Sequence, residues 1–248
     1  MPGLDWLTAR PLAHRGLHDA ANGVIENTPS AVRAAVGAGY GIEVDLQISA
    51  DGEAMVHHDD ALGRLTEGSG ALAAMPAAEI KAVAFKATKD RIITLGELCD
   101  LVAGRVTLVL ELKSRFDGDY RLAARTAEVL TGYAGPVAAM SFDPGLIEAV
   151  QALAPGLPRG IVAEYRYDRG GWTQLTPAQR RNLRWMLHAN RTRPHFLAYA
   201  LRDLPAAAPL IARWVFGLPL LAWTVRNEQD RRRAATWASQ MIFEGFRP

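Results

Sequence analysis

A chain of 248 residues, 49% hydrophobic and 22% charged, is long enough to bury one large core and is neither disordered nor fibrous in composition. Its net charge of +2 is too small to argue for nucleic acid, which we exclude as a partner. The single cysteine, Cys99, excludes an internal disulfide and a cysteine-built zinc site. No apolar run approaches the roughly 18–20 residues of a membrane helix, and the start, Met1 to Leu7, has no signal-like pattern. We therefore expect a cytoplasmic protein.

Taken in chain order, Pro11-Leu12-Ala13 reads as a short first strand. Asn27 or Thr28 caps a helix that carries Pro29 in its first turn and ends at Gly39. Residues 41–48 alternate as a second strand, and 53–57 form an extra strand after the turn Asp51-Gly52. An irregular stretch runs from about 60 to 93. Thr94, with Glu97 at the capping-box position, starts a helix through Val102. The nearly continuous apolar run 106–112 suits a buried parallel strand.

Helix 119–131, strand 136–141, a helix from Asp143-Pro144, strand 160–164 and a basic helical segment at 177–188 follow. The last elements are strand 196–201, helix 204–215, strand 218–225, helix 228–237 and strand 240–244. Eight strands alternating with helices predict a parallel sheet closed as a TIM-type (β/α)8 barrel. With no repeat and no linker, residues 1–248 read as one domain with an insertion at about 47–93. The barrel looks truncated at its C-terminal end, because the helix after the eighth strand is missing or replaced. That predicts an apolar strip for either a second subunit, making a homo-oligomer, or the segment Leu4 to Leu7.

Residues i and i+2 of a strand share a face, so Glu43 points with Asp45, and Glu111 with Lys113, near the strand ends where barrels place their chemistry. Taken singly, each carboxylate reads as a solvated strand residue or an arginine partner. Together, and without a cysteine, they suit a hard cation such as Mg2+ or Ca2+. His14 and Arg15 follow the first strand, and Gly16 allows a sharp turn. His58 and its neighbour His57 should face opposite ways, so at most one enters a site. Free imidazole suits acid–base work near neutral pH, so His14 and His58 are candidates for that role, and Arg15 offers a planar fork for phosphate.

These residues stand in an order that resembles the glycerophosphodiester phosphodiesterase family. The matching runs are His14-Arg15-Gly16, Glu26-Asn27-Thr28, Glu43-Val44-Asp45, Asp51-Gly52 and His58-Asp59, with Leu62, Arg64 and Thr66. Thr94-Leu95 with Glu97, Glu111-Leu112-Lys113, Ser141-Phe142-Asp143-Pro144 and Trp223-Thr224-Val225 continue it across nearly the whole chain. The resemblance implies a barrel that hydrolyses glycerophosphodiesters to glycerol 3-phosphate and an alcohol with one divalent cation. It implies that Glu43, Asp45 and Glu111 hold the metal and that His14 and His58 are the catalytic pair. It also implies that Arg15 and Lys113 contact phosphate, that Glu26 lies near metal or substrate, and that Trp223 packs against the glycerol. It selects His58 over His57, because the family's aspartate directly follows its histidine.

The match weakens towards the C-terminus. Glu244-Gly245-Phe246-Arg247-Pro248 stands where the family commonly has Thr-Asp-x-Pro, and Arg226 replaces the usual asparagine after Val225. Arg180, Arg181, Arg184, Arg191 and Arg193 read as a solvated helix face or as a basic patch for a peripheral membrane contact, with Trp172 and Trp185 nearby. Two other readings of the chain stay open: a lysophospholipase D-type activity at a membrane surface, and a catalytically silent barrel that binds a phosphorylated ligand.

Overall fold

A computed structural model describes residues 3–168 and 170–248 of the chain; Met1, Pro2 and Arg169, within the expected domain span, lie outside the described residues. Eight parallel strands close a barrel: β1 (Leu12–His14), β2 (Gly41–Ile48), β4 (Leu108–Leu112), β5 (Val137–Ser141), β6 (Arg159–Ala163), β7 (Phe196–Ala200), β8 (Leu220–Val225) and β9 (Gln240–Phe243). β1 pairs with both β2 and β9, which completes the ring. β3 (Ala54–Val56) lies antiparallel on the end of β2, with Leu46 opposite Val56. The expected TIM-type barrel is therefore present.

Helices alternate with the strands. α1 (Asp5–Thr8) precedes β1, and α2 (Pro29–Ala38) joins β1 to β2. α3 (Ala77–Ala82) and α4 (Leu95–Val102) precede β4, and α5 (Arg121–Leu130) and α6 (Pro144–Leu153) flank β5. α7 (Pro177–Arg184) and α8 (Ala189–Thr192) lead to β7, α9 (Ala207–Trp214) to β8, and α10 (Glu228–Trp237) to β9. Thr28 caps α2, accepting from the Ala31 amide, and the Thr94–Glu97 capping box starts α4. Each such cap contributes about 1 kcal/mol. The basic segment expected as one helix is two, because Met186 adopts a φ of 50° and breaks the run after α7.

The period-2 rule sorts each strand into two faces. Outward residues such as Ile42, Val44, Leu110, Ile161 and Leu197 meet the helices. Inward residues Leu12, Val109, Met140, Val162, Phe196, Leu221 and Ile242 fill the lower interior. Burying side chains of this size is worth roughly 1.5–3 kcal/mol each. Phe196 takes room that β6 yields at Gly160, where any Cβ would run into its ring.

Both ends of the chain pack against the barrel. Leu7 of α1 is buried among the lower interior residues, and Thr107 Oγ1 donates to Trp6 O at 3.1 Å, so α1 floors the barrel instead of covering its side. The strip beside β9 is covered by the tail itself. Phe246 packs edge-on against Phe243 at 5.8 Å, and Tyr40 Oη donates to Pro248 O at 3.1 Å. The stretch expected to be irregular holds α3 and a small core of its own, in which Leu62, Leu72, Ile80, Phe85 and Ile92 gather on Met55. Those apolar residues keep no period, so pattern reading passes over them.

Candidate active site

One step above the apolar interior, the same inward face becomes polar. Leu12 is followed at i+2 by His14, Gly41 by Glu43 and Asp45, Val109 by Glu111 and Lys113, and Ile242 by Glu244. Register places these residues side by side, with His14 opposite Glu43 and Asp45 opposite Glu111. Side-chain oxygens of Glu43, Asp45 and Glu111 all lie within 4.8 Å of one another, and all three residues are buried. A cation with oxygen ligands at about 2.0–2.6 Å spans such a spread.

The donor set fits that ion. Glu43 Oε1 is buried without a hydrogen-bond partner. Burial, and then the charges of Asp45 and Glu111, hold the Glu43 carboxyl well above its ordinary range, which a divalent cation would relieve. Asp45 behaves oppositely. Burial pushes its carboxyl up, but the charges of Lys113 and Arg15 outweigh this and hold it well below the carboxylate range. Lys113 Nζ lies 2.7 Å from Asp45 Oδ1 and 2.6 Å from Glu111 Oε1, so its charge balances two of the three carboxylates.

Local backbone geometry aims the remaining groups. Arg15 and Asn27 sit in the left-handed region, with φ of 58° and 57°. This turn points the Arg15 amide at Glu43 Oε2, 3.1 Å away. Gly16, at φ 80°, lies so close to α2 that a Cβ would stand 2.9 Å from the Ala31 backbone carbon. Asn27 Nδ2 donates to Asp45 Oδ2 at 2.9 Å and its Oδ1 accepts the Asp45 amide at 3.3 Å, which locks that carboxylate in place.

Each candidate histidine leans on a carboxylate through Nδ1. His14 Nδ1 is 2.5 Å from Glu244 Oε2, and His58 Nδ1 is 2.9 Å from Asp59 Oδ1. That contact orients the ring and leaves Nε2 for other work. The charges of both histidines reach Asp45. Gln47 Nε2 donates to His58 O at 2.9 Å and steadies the segment after β3. His57 is buried, and burial lowers its basicity.

Glu26 joins two arginines: its Oε1 accepts from Arg15 Nη1 at 2.8 Å and from Arg64 Nη2 at 2.6 Å. Arg64 Nε also donates to Asp59 Oδ2 at 2.6 Å, so one ionic chain runs from Arg15 to His58. Burial opposes ionisation of Glu26, yet the two arginines pull its carboxyl below the usual value. Trp223 lies over the top of the interior, edge-on to Phe142 at 5.7 Å. Phe142 meets Trp172 at 4.8 Å, and Trp172 Nε1 donates to the buried Glu164. A cleft of about 530 Å3 opens beside His58 and Lys113, lined also by Gln47, Asp59 and Ser114.

The nine candidate site residues, His14, Arg15, Glu26, Glu43, Asp45, His58, Glu111, Lys113 and Trp223, thus lie at one end of the barrel. Two further residues carry the site. In sequence Glu244 stands out only as a departure from the family pattern, although it alternates with Ile242 as His14 does with Leu12. Asn27 stands in the family run and is a helix-cap candidate there, whereas in the structure Thr28 caps the helix and Asn27 holds Asp45.

A family model described as the glycerophosphoryl diester phosphodiesterase family matches residues 14–246. A glycerophosphodiester phosphodiesterase of Caldanaerobacter subterraneus subsp. tengcongensis is 39% identical over 111 residues, 42% of this chain and 44% of that protein. Glycerophosphodiester phosphodiesterase 1 of Rattus norvegicus is 31% identical over 117 residues, 43% of this chain and 34% of that protein. The match therefore spans less than half the length of either curated relative. Among solved structures, an Oleispira antarctica phosphodiesterase in complex with the product sn-glycerol-3-phosphate superposes with a TM-score of 0.78 at 23% identity, over 96% of this chain and 94% of that one. A putative glycerophosphoryl diester phosphodiesterase from Silicibacter pomeroyi gives a TM-score of 0.75 at 25% identity, over 95% and 89%.

Proposed function

The chain belongs to the glycerophosphoryl diester phosphodiesterase family, and we propose that it hydrolyses glycerophosphodiesters to glycerol 3-phosphate and an alcohol at the site described. The observation that carries this reading is the pairing of two carboxylate-backed histidines around a buried acidic cluster flanked by Arg15 and Lys113. A barrel that only held a phosphorylated ligand would have no use for two oriented imidazoles.

Glu43, Asp45 and Glu111 would hold one divalent cation, Mg2+ or Ca2+. When bound, that ion supplies Lewis-acid stabilisation of charge on a phosphoryl oxygen. The Arg15 fork, presented next to Asp45 and Glu26, neutralises another phosphate oxygen. The Lys113 ammonium balances charge from the opposite side, where it touches Asp45 and Glu111. One of the histidines takes a proton from the attacking oxygen, either of water or of the substrate's own glycerol hydroxyl with water then opening the cyclic phosphate, and the other supplies a proton to the departing alcohol oxygen. Glu244 and Asp59 steady the two rings through Nδ1, so each ring presents Nε2 to the reacting atoms. Trp223, with Phe142, forms an apolar wall suited to the carbon face of glycerol.

Assays of glycerophosphocholine, glycerophosphoethanolamine, glycerophosphoinositol and a lysophospholipid, with Mg2+, Ca2+ or EDTA, test the proposal. Release of glycerol 3-phosphate that EDTA abolishes is expected. Preference for the lysophospholipid would move the assignment to a lysophospholipase D-type activity. Tight cation binding without turnover of any diester would replace it with the silent barrel.

A further inference from the structure

An apolar groove lies far from the chemistry. It lies on the outside of the barrel between the α7–α8 segment and α9, has a volume of about 580 Å3, and backs onto the outward-facing Ile161 and Leu197. Around it stand large apolar side chains with no cover. Trp214, Val215 and Phe216 are 62%, 70% and 72% exposed, and Trp185, Leu187 and Ile211 are exposed beside them. An open aromatic and aliphatic patch of this kind marks a contact surface.

Charge identifies the contact. Residues 180–220 hold seven arginines and a single acid, Asp203, in a chain whose net charge is only +2. Arg193 lines the groove, Arg213 precedes Trp214, and no Asp or Glu is among the lining residues. Arg193 is exposed and has no ion-pair partner among the described residues, whereas Arg213 turns its Nη1 into the protein. A second copy docked here about a two-fold axis would set arginine against arginine with no carboxylate to answer. Aromatic anchors beside an unpaired arginine suit the interface of an anionic lipid layer.

We propose that this face docks the protein on anionic membrane surfaces, with Trp185, Trp214 and Phe216 entering the headgroup boundary and Arg193 meeting phosphate. Trp172, grouped with the basic segment in the sequence, takes no part, because it is packed between Phe142 and Glu164 at the catalytic end. The groove's lower lip, Arg193-Pro194 and Phe216 to Leu218, immediately precedes the starts of β7 and β8, at the end of the barrel opposite Glu43 and Lys113. Docking therefore leaves the catalytic mouth open to dissolved substrate. No helix among the described residues is long and apolar enough to cross a membrane, so the contact is peripheral.

Cosedimentation with vesicles of phosphatidylcholine containing one-third phosphatidylglycerol, against pure phosphatidylcholine, tests this without reference to catalysis. Binding to the anionic vesicles at low salt is expected, with a blue shift in tryptophan emission, and high salt should release the protein. Trp214→Ser with Phe216→Ser should abolish binding, and Arg193→Gln should weaken it about fivefold. Circular dichroism of these exposed variants checks that they remain folded. Absence of binding at low salt, or equal binding to both vesicle types, overturns the proposal. So does light scattering that finds a dimer which Trp214→Ser with Phe216→Ser converts to a monomer.

Discussion

Glu244 Oε2 lies 2.5 Å from His14 Nδ1, although 229 residues separate the two in sequence. The contact exists because β1 pairs with β9, Ala13 opposite Phe243, so the inward residues that follow stand side by side. Burial works against the Glu244 charge, but hydrogen bonds from His14 and His18 and the charge of Arg226 hold its carboxyl well below the ordinary value. Arg226 Nε donates to Glu244 Oε1 at 2.7 Å, so both C-terminal departures from the family pattern meet in one arrangement.

Glu244 is a positioning residue for His14, and Glu244→Gln should lower kcat by about 100-fold with little change in KM. Steady-state kinetics provide the check. A fall in KM-linked affinity alone, with kcat intact, would mean Glu244 only closes the barrel.

Removal of either imidazole tests the acid–base pair directly. His14→Ala and His58→Ala should each reduce kcat about 10²–10⁴-fold, the range for loss of one proton-transfer group. Cation affinity, measured by calorimetry, should stay within a few-fold, because neither residue belongs to the acidic cluster. Turnover near that of the parent protein in either variant would remove that histidine from the mechanism.

The acidic cluster makes cation binding pH-dependent. Glu43 is held above its ordinary 4.5 by burial and by Asp45 and Glu111, so in the metal-free protein it favours folding at low pH and withdraws that stability as pH rises through its folded value. A cation needs the ionised carboxylate and compensates it, so the gain in Tm from Mg2+ or Ca2+ should be larger at pH 8 than at pH 5. At a hundredfold excess over Kd the gain corresponds to about 2.7 kcal/mol. Glu43→Gln should raise Tm without the ion while removing most of the gain with it. Thermal melts with and without EDTA measure both effects.

His188 predicts an acid-sensitive fold. It is buried in the turn between α7 and α8, where burial, aided by the Arg191 charge, lowers its pKa from 6.5 to about 4. A base whose folded value is depressed lends stability that is complete above about 6.5 and drains away as pH falls towards 4. The loss amounts to about 1.4 kcal/mol per pH unit across that window. Denaturant titrations of the parent and His188→Gln should converge as pH drops from 7 to 4. Parallel curves would show that His188 is already charged in the folded state.

Much of the barrel is legible in local pattern. Residues 41–48 and 228–237 have the bounds expected of them, and α4 begins at its Thr94–Glu97 box, because alternation, helical period and capping chemistry are carried within a few neighbouring residues. The core under the insertion was not legible, since Leu62, Ile80 and Ile92 acquire their common environment only by folding onto Met55. The same holds for the exposed run Trp214-Val215-Phe216, which in sequence looks like the end of an ordinary amphipathic helix.

For the site, i, i+2 spacing groups Glu43 with Asp45 and Glu111 with Lys113 and residue type marks His14 and Arg15, while choosing His58 over His57 and assigning roles to the set takes the family resemblance. Spacing along one strand says which side chains share a face, and nothing more. That Glu244 backs His14, that Asn27 clamps Asp45, and that Glu26 bridges Arg15 and Arg64 depend on contacts between segments brought together by strand register and ring closure. Those partnerships set which carboxylate is depressed and which is raised, because electrostatic environment is a property of burial and neighbours in space and not of residue type.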